Sequence, residues 1–436
     1  MSRKSVLILC DLFPPAFGPR MGYLCKYLRK NGWRPVVVTE YMEEDLFSFL
    51  AEKDAEVYTV RYYRWKGLAG KIEWGWTFLR DLLFGYKDRR MYREALKIVE
   101  KHRFDLVLCS TYRTFPLPAA RRLAAKARLP LLVDLRDIIE QYTGNEFIAR
   151  PLPKIFGLDR VIASAFRTGN LRIRNGILRG AAGVTTVSPW HVSVLEKYNA
   201  NTHLIYNGYD PDVFYPSGVK SDTFYITYTG RLLSTAMRDP DLLFRAVEKL
   251  SEEGVISPDL FQIRWFTDGQ SRETVRRAAG RYARVDACMK YFDYVPASEI
   301  PRLLNESAIL LLLTNKSGAG GPKGVMTTKF FESLAVGKPI LCVRGDEGCL
   351  EETIRRTRSG LSAHSVDEVC EFIQTHYLRW KKGLPSENPS DKDQVKKFSR
   401  ETQARQFIRI FEQISSLPAE KTSGTAEKMS GVLAVS

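Results

Sequence analysis

From Val6 onward the sequence alternates short runs of β-branched and aliphatic residues with segments whose apolar residues recur at helical spacing. A chain patterned this way has few options: each run becomes a strand, each helical segment crosses over to the next, and the strands line up in parallel. The first series of predicted strands is Val6–Cys10, Pro35–Thr39, Asp105–Ser110, Pro130–Asp134, Gly183–Ser188 and Thr202–Tyr206. Between them lie helical patterns such as Met21–Lys30, in which Met21, Leu24, Cys25 and Leu28 fall on one face. After a proline-punctuated link from Asp210 to Pro216 the alternation restarts, with strands predicted at Phe224–Thr229, Gln262–Phe266, Cys288–Phe292, Ala308–Thr314 and Pro339–Val343. Two doubly wound α/β domains follow, over residues 1–210 and 211–390. A helical pattern from Gln394 to Ile414 is expected to pack back on the first domain as the segment 391–416, and residues 417–436, rich in Ser, Ala, Gly and Lys, read as a disordered tail.

With 436 residues, 44% of them apolar, the chain can fill two cores, which excludes a disordered or fibrous protein. The opening apolar run stops at Asp11, and the longest later one, Ala308–Leu313, has the length of a strand. Neither a signal peptide nor a membrane span is expected, so the reading is cytoplasmic with any membrane contact peripheral. Seven cysteines without a CxxC pair and five dispersed histidines suggest neither a disulfide framework nor a metal cluster.

A formal charge of +16 calls for anionic partners. Much of it sits in Arg61–Arg103, where Trp65, Trp74, Trp76, Phe78 and Phe84 interleave with the cations, and in Arg150–Arg179. Such a mixture fits an interfacial helix lying on an anionic membrane surface, and fits equally an ordinary amphipathic helix with a core-facing stripe. Nucleic acid is not an expected partner, because no RNP-like motif, KH loop or zinc finger is present.

The strongest chemical signal is the run Thr327, Thr328, Lys329 to Glu332, approached through the glycine-rich segment Ser317–Gly324. A helix opening at Thr327 or Thr328 presents unpaired N–H groups and the positive end of its dipole, a ready phosphate site. Lys329 adds a full charge in the first turn, and Glu332, one turn on, can accept hydrogen bonds from both hydroxyls of a ribose. The competing reading, a Lys–Glu pair on a solvated helix, leaves the glycines unexplained. Beyond the strand ending at Thr229 stand Gly230, Arg231 and, further on, Arg238; two cations there can neutralise a departing nucleoside diphosphate, whereas a surface salt bridge is the alternative for Arg231.

In the first domain Gly18 lies in the loop Asp11–Gly22, where it lets backbone approach a donor; the loop is not GxGxxG, which argues against a dinucleotide dehydrogenase. Asp134, Arg136 and Asp137 end another strand. Asp137 can orient or deprotonate an acceptor hydroxyl and Arg136 can stabilise phosphate, with a buried structural ion pair as the competing reading. Arg113, Asp134 and Asp137 are the candidate acceptor-binding residues.

Taken together these motifs resemble the GT-B glycosyltransferases, family 4 (glycosyltransferase group 1) in particular, over roughly residues 5–415. The resemblance implies two Rossmann-like domains facing a cleft. Lys329 and Glu332 would hold the donor with Thr327 and Thr328, the Gly230, Arg231 and Arg238 turn would bind its diphosphate, and the loop at Tyr294 would pair with the base. Gly183–Ser188 and Tyr206–Asp210 are similar to the family's last first-domain strands and the hinge that follows. Two departures stand out: Gly324 occupies a position where many relatives carry a second Glu, and neither Ser110–Pro116 nor the Arg136, Asp137 slot holds a histidine found in relatives. The expected function is transfer of a sugar from a nucleotide diphosphate-sugar to a lipid-linked or polysaccharide acceptor, retaining and metal-independent, without a cofactor beyond the donor. Arg136, Asp137, Arg231 and Lys329 are the candidate catalytic residues. A non-catalytic scaffold and a sugar-nucleotide epimerase of the same fold are the alternatives.

Overall fold

The computed structural model describes residues 3–45, 47–50, 54–142, 158–232, 234–235, 238–314, 324–384 and 390–416. Most of the glycine-rich approach (residues 317–323), the start of the Arg150–Arg179 stretch and the tail 417–436 lie outside them. The chain forms two compact units: the first takes in residues up to Tyr206, apart from Gln141–Thr143, together with the segment from Gln403, and the second takes in Asn207–Thr402 with Gln141–Thr143.

Among the described residues the first unit holds a parallel sheet of seven strands, β1 (Ser5–Cys10), β2 (Arg34–Glu40), β3 (Glu56–Val60), β4 (Leu106–Thr111), β5 (Leu131–Leu135), β6 (Gly183–Thr186) and β7 (Thr202–Leu204), in the spatial order β3-β2-β1-β4-β5-β6-β7. Strand β1 pairs on both sides, Leu7 standing opposite Val36 of β2 and Val107 of β4. Its alternate residues feed two different cores, as a strand covered on both faces must. Leu7 and Leu9 pack with Met91, Ala95 and Ile98 of helix Tyr86–Lys101, while Val6, Ile8 and Cys10 pack with Leu24 and Leu28 of helix Pro19–Lys30. That second core also takes in Phe407, Phe411 and Ile414 of the C-terminal helix Arg400–Ser415, whose Phe411 meets Trp33 edge-on at 5.3 Å. The helix from the chain's far end therefore packs on the first unit's sheet.

The second unit repeats the plan. Its strands are β8 (Phe224–Thr229), β9 (Phe261–Phe266), β10 (Met289–Phe292), β11 (Ile309–Leu313), β12 (Ile340–Val343) and β13 (Gly360–Ala363), all parallel, in the order β10-β9-β8-β11-β12-β13. Phe224, Ile226 and Tyr228 point into one core with Phe244 and Val247 of helix Asp241–Glu252 and Ile373 and Tyr377 of helix Val366–Lys381. A capping box, Ser365 with Glu368, starts the latter helix.

Several expectations shift at their edges. The strand expected to run to Ser188 stops at Thr186, because the Ser188 hydroxyl accepts the His191 N–H at 3.2 Å and caps helix Pro189–Leu195. The single helix expected over Gln394–Ile414 is two, Lys392–Lys396 and Arg400–Ser415, separated where the Ser399 hydroxyl accepts the Thr402 N–H. Strands β3 and β13, each at an edge of its own sheet, were not among those expected.

Asp134, expected to touch the acceptor, is fully buried and already occupied: Arg20 donates to both of its oxygens at 3.1 and 2.9 Å, and the hydroxyls of Ser110 and Thr185 donate at 2.8 Å each. Burial pushes this carboxyl up, but the charge of Arg20 and the four donors hold it below the usual carboxylate value. Arg20 also donates to the carbonyls of Ile205 and Tyr206, so the pair ties helix Pro19–Lys30 to β5 and to the end of the unit. Asp134 is a structural hub. Asp134→Ala should cost about 3–5 kcal/mol by stranding a buried guanidinium, and a double change, Arg20→Met with Asp134→Leu, should recover most of it. Denaturant unfolding of the wild type and the two variants checks this.

Candidate functional site

In an open parallel sheet, ligands sit beyond the carboxyl ends of the strands, at the point where the strand order reverses. In the second unit that point lies between β8 and β11. The turn after β8 carries Gly230 and Arg231; the connection after β11 leads to helix Thr328–Val336, with Lys329 in its first turn. Thr327 occupies the N-cap position, yet its side chain makes no capping hydrogen bond. The helix thus keeps its first N–H groups and its positive dipole end without a side-chain cap.

Here the two loops meet. Gly230 has φ 106°, and a Cβ built on it would collide with the Lys329 amino group and come within 2.5 Å of its Cε. Only glycine lets the ammonium lie across the turn. The same amino group sits 5.0 Å from the centre of the Tyr228 ring, whose hydroxyl donates to the Arg231 carbonyl at 2.8 Å. Lys329 keeps a little solvent access, but the protein around it strips away most of its hydration. That desolvation, with the repulsion of Arg238, outweighs the pull of Glu332 and lowers its pKa to about 7. Glu332 is the mirror case: burial raises its pKa to about 7 against the attraction of Arg400 and Lys329. Among the described residues neither group has a hydrogen-bond or salt-bridge partner.

The two arginines are placed by polar neighbours. Arg231 donates through Nε to the Tyr294 hydroxyl at 3.2 Å and lies 3.5 Å from Asp268, while the Tyr294 hydroxyl donates to the same carboxylate at 3.2 Å. The guanidinium is 66% exposed, so its face stays open. Arg238 donates to the Arg231 carbonyl. Asp268 caps helix Gly269–Ala279 through the Ser271 N–H at 2.7 Å. Gly230, Arg231, Arg238, Tyr294 and Lys329 are therefore joined by direct contacts or near charges, with Thr327 and Thr328 opening the same helix and Glu332 one turn along it. Sequence reasoning missed Tyr228 and Asp268. The Asp268 to Ser271 spacing before a helix was a readable capping signal; the Tyr228 ring was not, since only the fold places it under Lys329.

In the first unit the sheet order reverses between β1 and β4, and the candidate residues there pair differently from expectation. Arg136 binds Asp11 at 2.5 Å, and its guanidinium stands 5.5 Å from the Tyr112 ring. Burial raises the Asp11 carboxyl above its usual value, although Arg136 and Arg113 pull the other way. Arg136 is thus half of a buried ion pair with Asp11, which sequence reasoning did not single out. Arg113 is exposed and lies 4.5 Å from the Tyr112 ring; Asp137 is half-buried on the turn after β5. Gly18 has a cause within the protein itself: a Cβ there would come within 2.8 Å of the Leu12 carbonyl oxygen, so the glycine lets the Asp11–Gly22 loop fold on its own backbone. Among the described residues no group of three or more His, Cys, Asp or Glu side chains is placed to hold a metal ion.

Residues 17–208 match the family profile described as a glycosyl transferase 4-like domain. Solved structures share the architecture of the whole chain. One is Alr3699/HepE from Anabaena in complex with UDP, 15% identical, covering 95% of this chain and 100% of that one with a TM-score of 0.61. Another is sucrose-phosphate synthase from Thermosynechococcus elongatus, 14% identical over 94% and 99% of the two chains, TM-score 0.62. A third is a UDP-N-acetylglucosamine 2-epimerase from Methanocaldococcus jannaschii, 11% identical over 94% and 99%, TM-score 0.52. No protein of curated function matches the chain in sequence. The fold is GT-B, two Rossmann-like units each built on a parallel sheet. The glycosyl transferase 4-like match covers residues 17–208, most of the first unit.

The Gly230 contact is open to test. Gly230→Ala should fold with a loss of about 1–3 kcal/mol from strain at positive φ and should also lose nucleoside diphosphate binding, since the new methyl displaces Lys329. Gly254→Ala, at φ 68° with nothing near its Cβ, is the control and should leave binding unchanged. Thermal unfolding and calorimetry on both variants distinguish strain alone from loss of the site.

Proposed function

We propose that this protein transfers a glycosyl group from a nucleoside diphosphate-sugar to a hydroxyl of a lipid-linked or polysaccharide acceptor. The observation that carries the reading is the desolvated Lys329 amino group lying over Gly230 at the strand-order reversal, without a hydrogen-bond or salt-bridge partner among the described residues. A cation held out of water beside two arginines and an uncapped helix N-terminus is suited to a diphosphate, whose negative charge grows as it leaves. In this mechanism the bond from the anomeric carbon to the diphosphate breaks with its electron pair going to the phosphate oxygen. Arg231, Arg238, Lys329 and the N–H groups at Thr327 and Thr328 stabilise that oxygen. An acceptor hydroxyl bonds to the anomeric carbon and its proton passes to a base, the role assigned to Asp137. Glu332 accepts the ribose hydroxyls, the Tyr294 loop pairs with the base, and the Gly18 loop is assigned to the donor. Arg113, exposed after β4, offers positive charge to a phosphate-bearing acceptor. Charge compensation by side chains makes a divalent ion unnecessary, and retention at the anomeric carbon follows from the family resemblance.

The acceptor side of the proposal includes an anionic membrane surface on the cytoplasmic face. No helix among the described residues is long and apolar enough to cross a membrane. Helix Gly67–Phe84, however, turns its apolar stripe outward: Leu68, Ile72, Trp76, Leu79 and Leu83 recur at helical spacing and are 42–75% exposed, while Thr77 is buried. This outward stripe supports the interfacial reading of the segment over the core-facing one. An epimerase of the same fold is the second reading, favoured by the architecture shared with UDP-N-acetylglucosamine 2-epimerases.

UDP, the nucleotide bound by the Anabaena relative, is the first probe, with UDP-sugars screened by thermal shift. Glu332→Ala should weaken nucleoside diphosphate binding by about 1.5–3 kcal/mol. Arg231→Ala should lower kcat roughly a hundredfold with a smaller change in KM, as expected for a group acting on charge that develops in the transition state. Chelator should leave turnover unchanged. Wild-type kinetics in Arg231→Ala, or activity lost to chelator and restored by magnesium, would contradict the assignment, and conversion of the donor to an epimer without acceptor would favour the second reading.

A further inference from the structure

At the C-terminal end of the exposed apolar helix, Gly85 takes φ 56° and turns the chain into helix Tyr86–Lys101. Beside this turn lies a cavity of 460 Å³ lined by Arg80, Phe84, Tyr86, Arg89, Arg90 and Arg93. Two of its arginines, Arg80 and Arg90, are held against Tyr86, while Arg89 and Arg93 are exposed. The Arg80 guanidinium lies 4.1 Å from the Tyr86 ring centre, and Arg90 donates to the Tyr86 hydroxyl at 3.0 Å. Among the described residues none of the four arginines has a carboxylate partner; Glu94, which also lines the cavity, is bound instead to Lys97 at 2.9 Å. Four like charges gathered round one cavity repel one another, and the repulsion is relieved by an anion that accepts several N–H donors at once.

The surroundings say which anion. Leu82, Leu83 and Phe84, 57–61% exposed, flank the turn and continue the outward stripe of Leu79, Trp76 and Ile72. A soluble phosphate compound would gain nothing from this apolar surface, whereas a lipid brings a phosphate at the depth of the headgroups and acyl chains beneath it. We infer that this arginine cage binds the phosphate of a membrane lipid headgroup, with a phosphomonoester preferred because it presents more oxygens and more charge to four guanidinium groups. The inference rests on the membrane-facing reading of this helix and is independent of the donor chemistry.

The test uses the full chain and sedimentation with vesicles of phosphatidylcholine alone, of phosphatidylcholine with phosphatidylglycerol, and of phosphatidylcholine with phosphatidic acid, the last two matched in surface charge. Wild type should bind phosphatidic acid vesicles best. Arg89→Glu with Arg93→Glu should reduce that binding roughly tenfold or more and abolish the preference over phosphatidylglycerol. Trp76→Ser with Leu83→Ser should weaken binding to both anionic vesicles and keep the preference. A preference that survives in the arginine variant overturns the cage while leaving the membrane reading intact; wild type that binds no vesicle overturns both. Calorimetric binding of inorganic phosphate that needs Arg89 and Arg93, with no discrimination among vesicles, would assign the cage to a free anion and overturn the lipid. Far-UV spectra establish that both variants are folded, and Lys101→Glu, two turns beyond Arg93 and outside the cavity, serves as a second charge change that should leave the preference unaltered.

Discussion

A parallel sheet sends all its chemistry to one edge. Within each unit every described strand runs the same way, so the loops that follow the strands leave from one side of that unit's sheet, and where the order reverses two such loops part and leave a place for a ligand. The second unit fills that place with a glycine turn, an uncapped helix start and a lysine drawn across the turn. Because Gly230 has no side chain, the Lys329 amino group can lie against the backbone that would otherwise be hidden, and Tyr228 supplies the ring beneath it. The arginines are then set by what surrounds the same turn, Arg231 by Tyr294 and Asp268, Arg238 by the carbonyl of Arg231.

The site is held at a cost to stability that depends on pH. The Lys329 pKa of about 7 lies below its ordinary 10.5, so between those values the unfolded chain holds a proton that the folded protein has released, and stability rises with pH across that window. The Glu332 pKa of about 7 lies above its ordinary 4.5, so between 4.5 and 7 the folded protein holds a proton that the unfolded chain has lost, and stability falls as pH rises there. The two contributions together place a minimum near neutrality, where a nucleotide diphosphate would restore the charge on Lys329. The first unit shows the opposite economy: the Arg20 and Asp134 charges are matched by one another and by Ser110 and Thr185, and they hold three elements together.

Much of this was legible in the sequence because it is periodic or local. The β-rich runs and their spacing gave both sheets nearly strand by strand, and the Thr327 to Glu332 run announced a helix start with a cation and a carboxylate one turn apart. What escaped was either weakly patterned or distant along the chain. Strand β3 is largely exposed and β13 begins at Gly360, so neither shows the buried apolar run that marks the central strands. Asp134 looked available for an acceptor because its partner, Arg20, stands 114 residues earlier. Arg136 and Asp137 are adjacent in sequence, yet Arg136 pairs with Asp11. Helix Gly67–Phe84 was readable as amphipathic, but periodicity alone does not say whether an apolar stripe faces a core or the outside.

The central claim is that Lys329 is a desolvated amine awaiting a diphosphate. It is tested most directly by titrating UDP calorimetrically into the protein at about pH 8 in buffers of different ionisation enthalpy, where a lysine of pKa near 7 is mostly neutral. Binding should take up close to one proton, because the diphosphate favours the charged amine, and Lys329→Met should bind more weakly with no such uptake. Tight binding without proton uptake in the wild type, or the same uptake in Lys329→Met, would contradict the account.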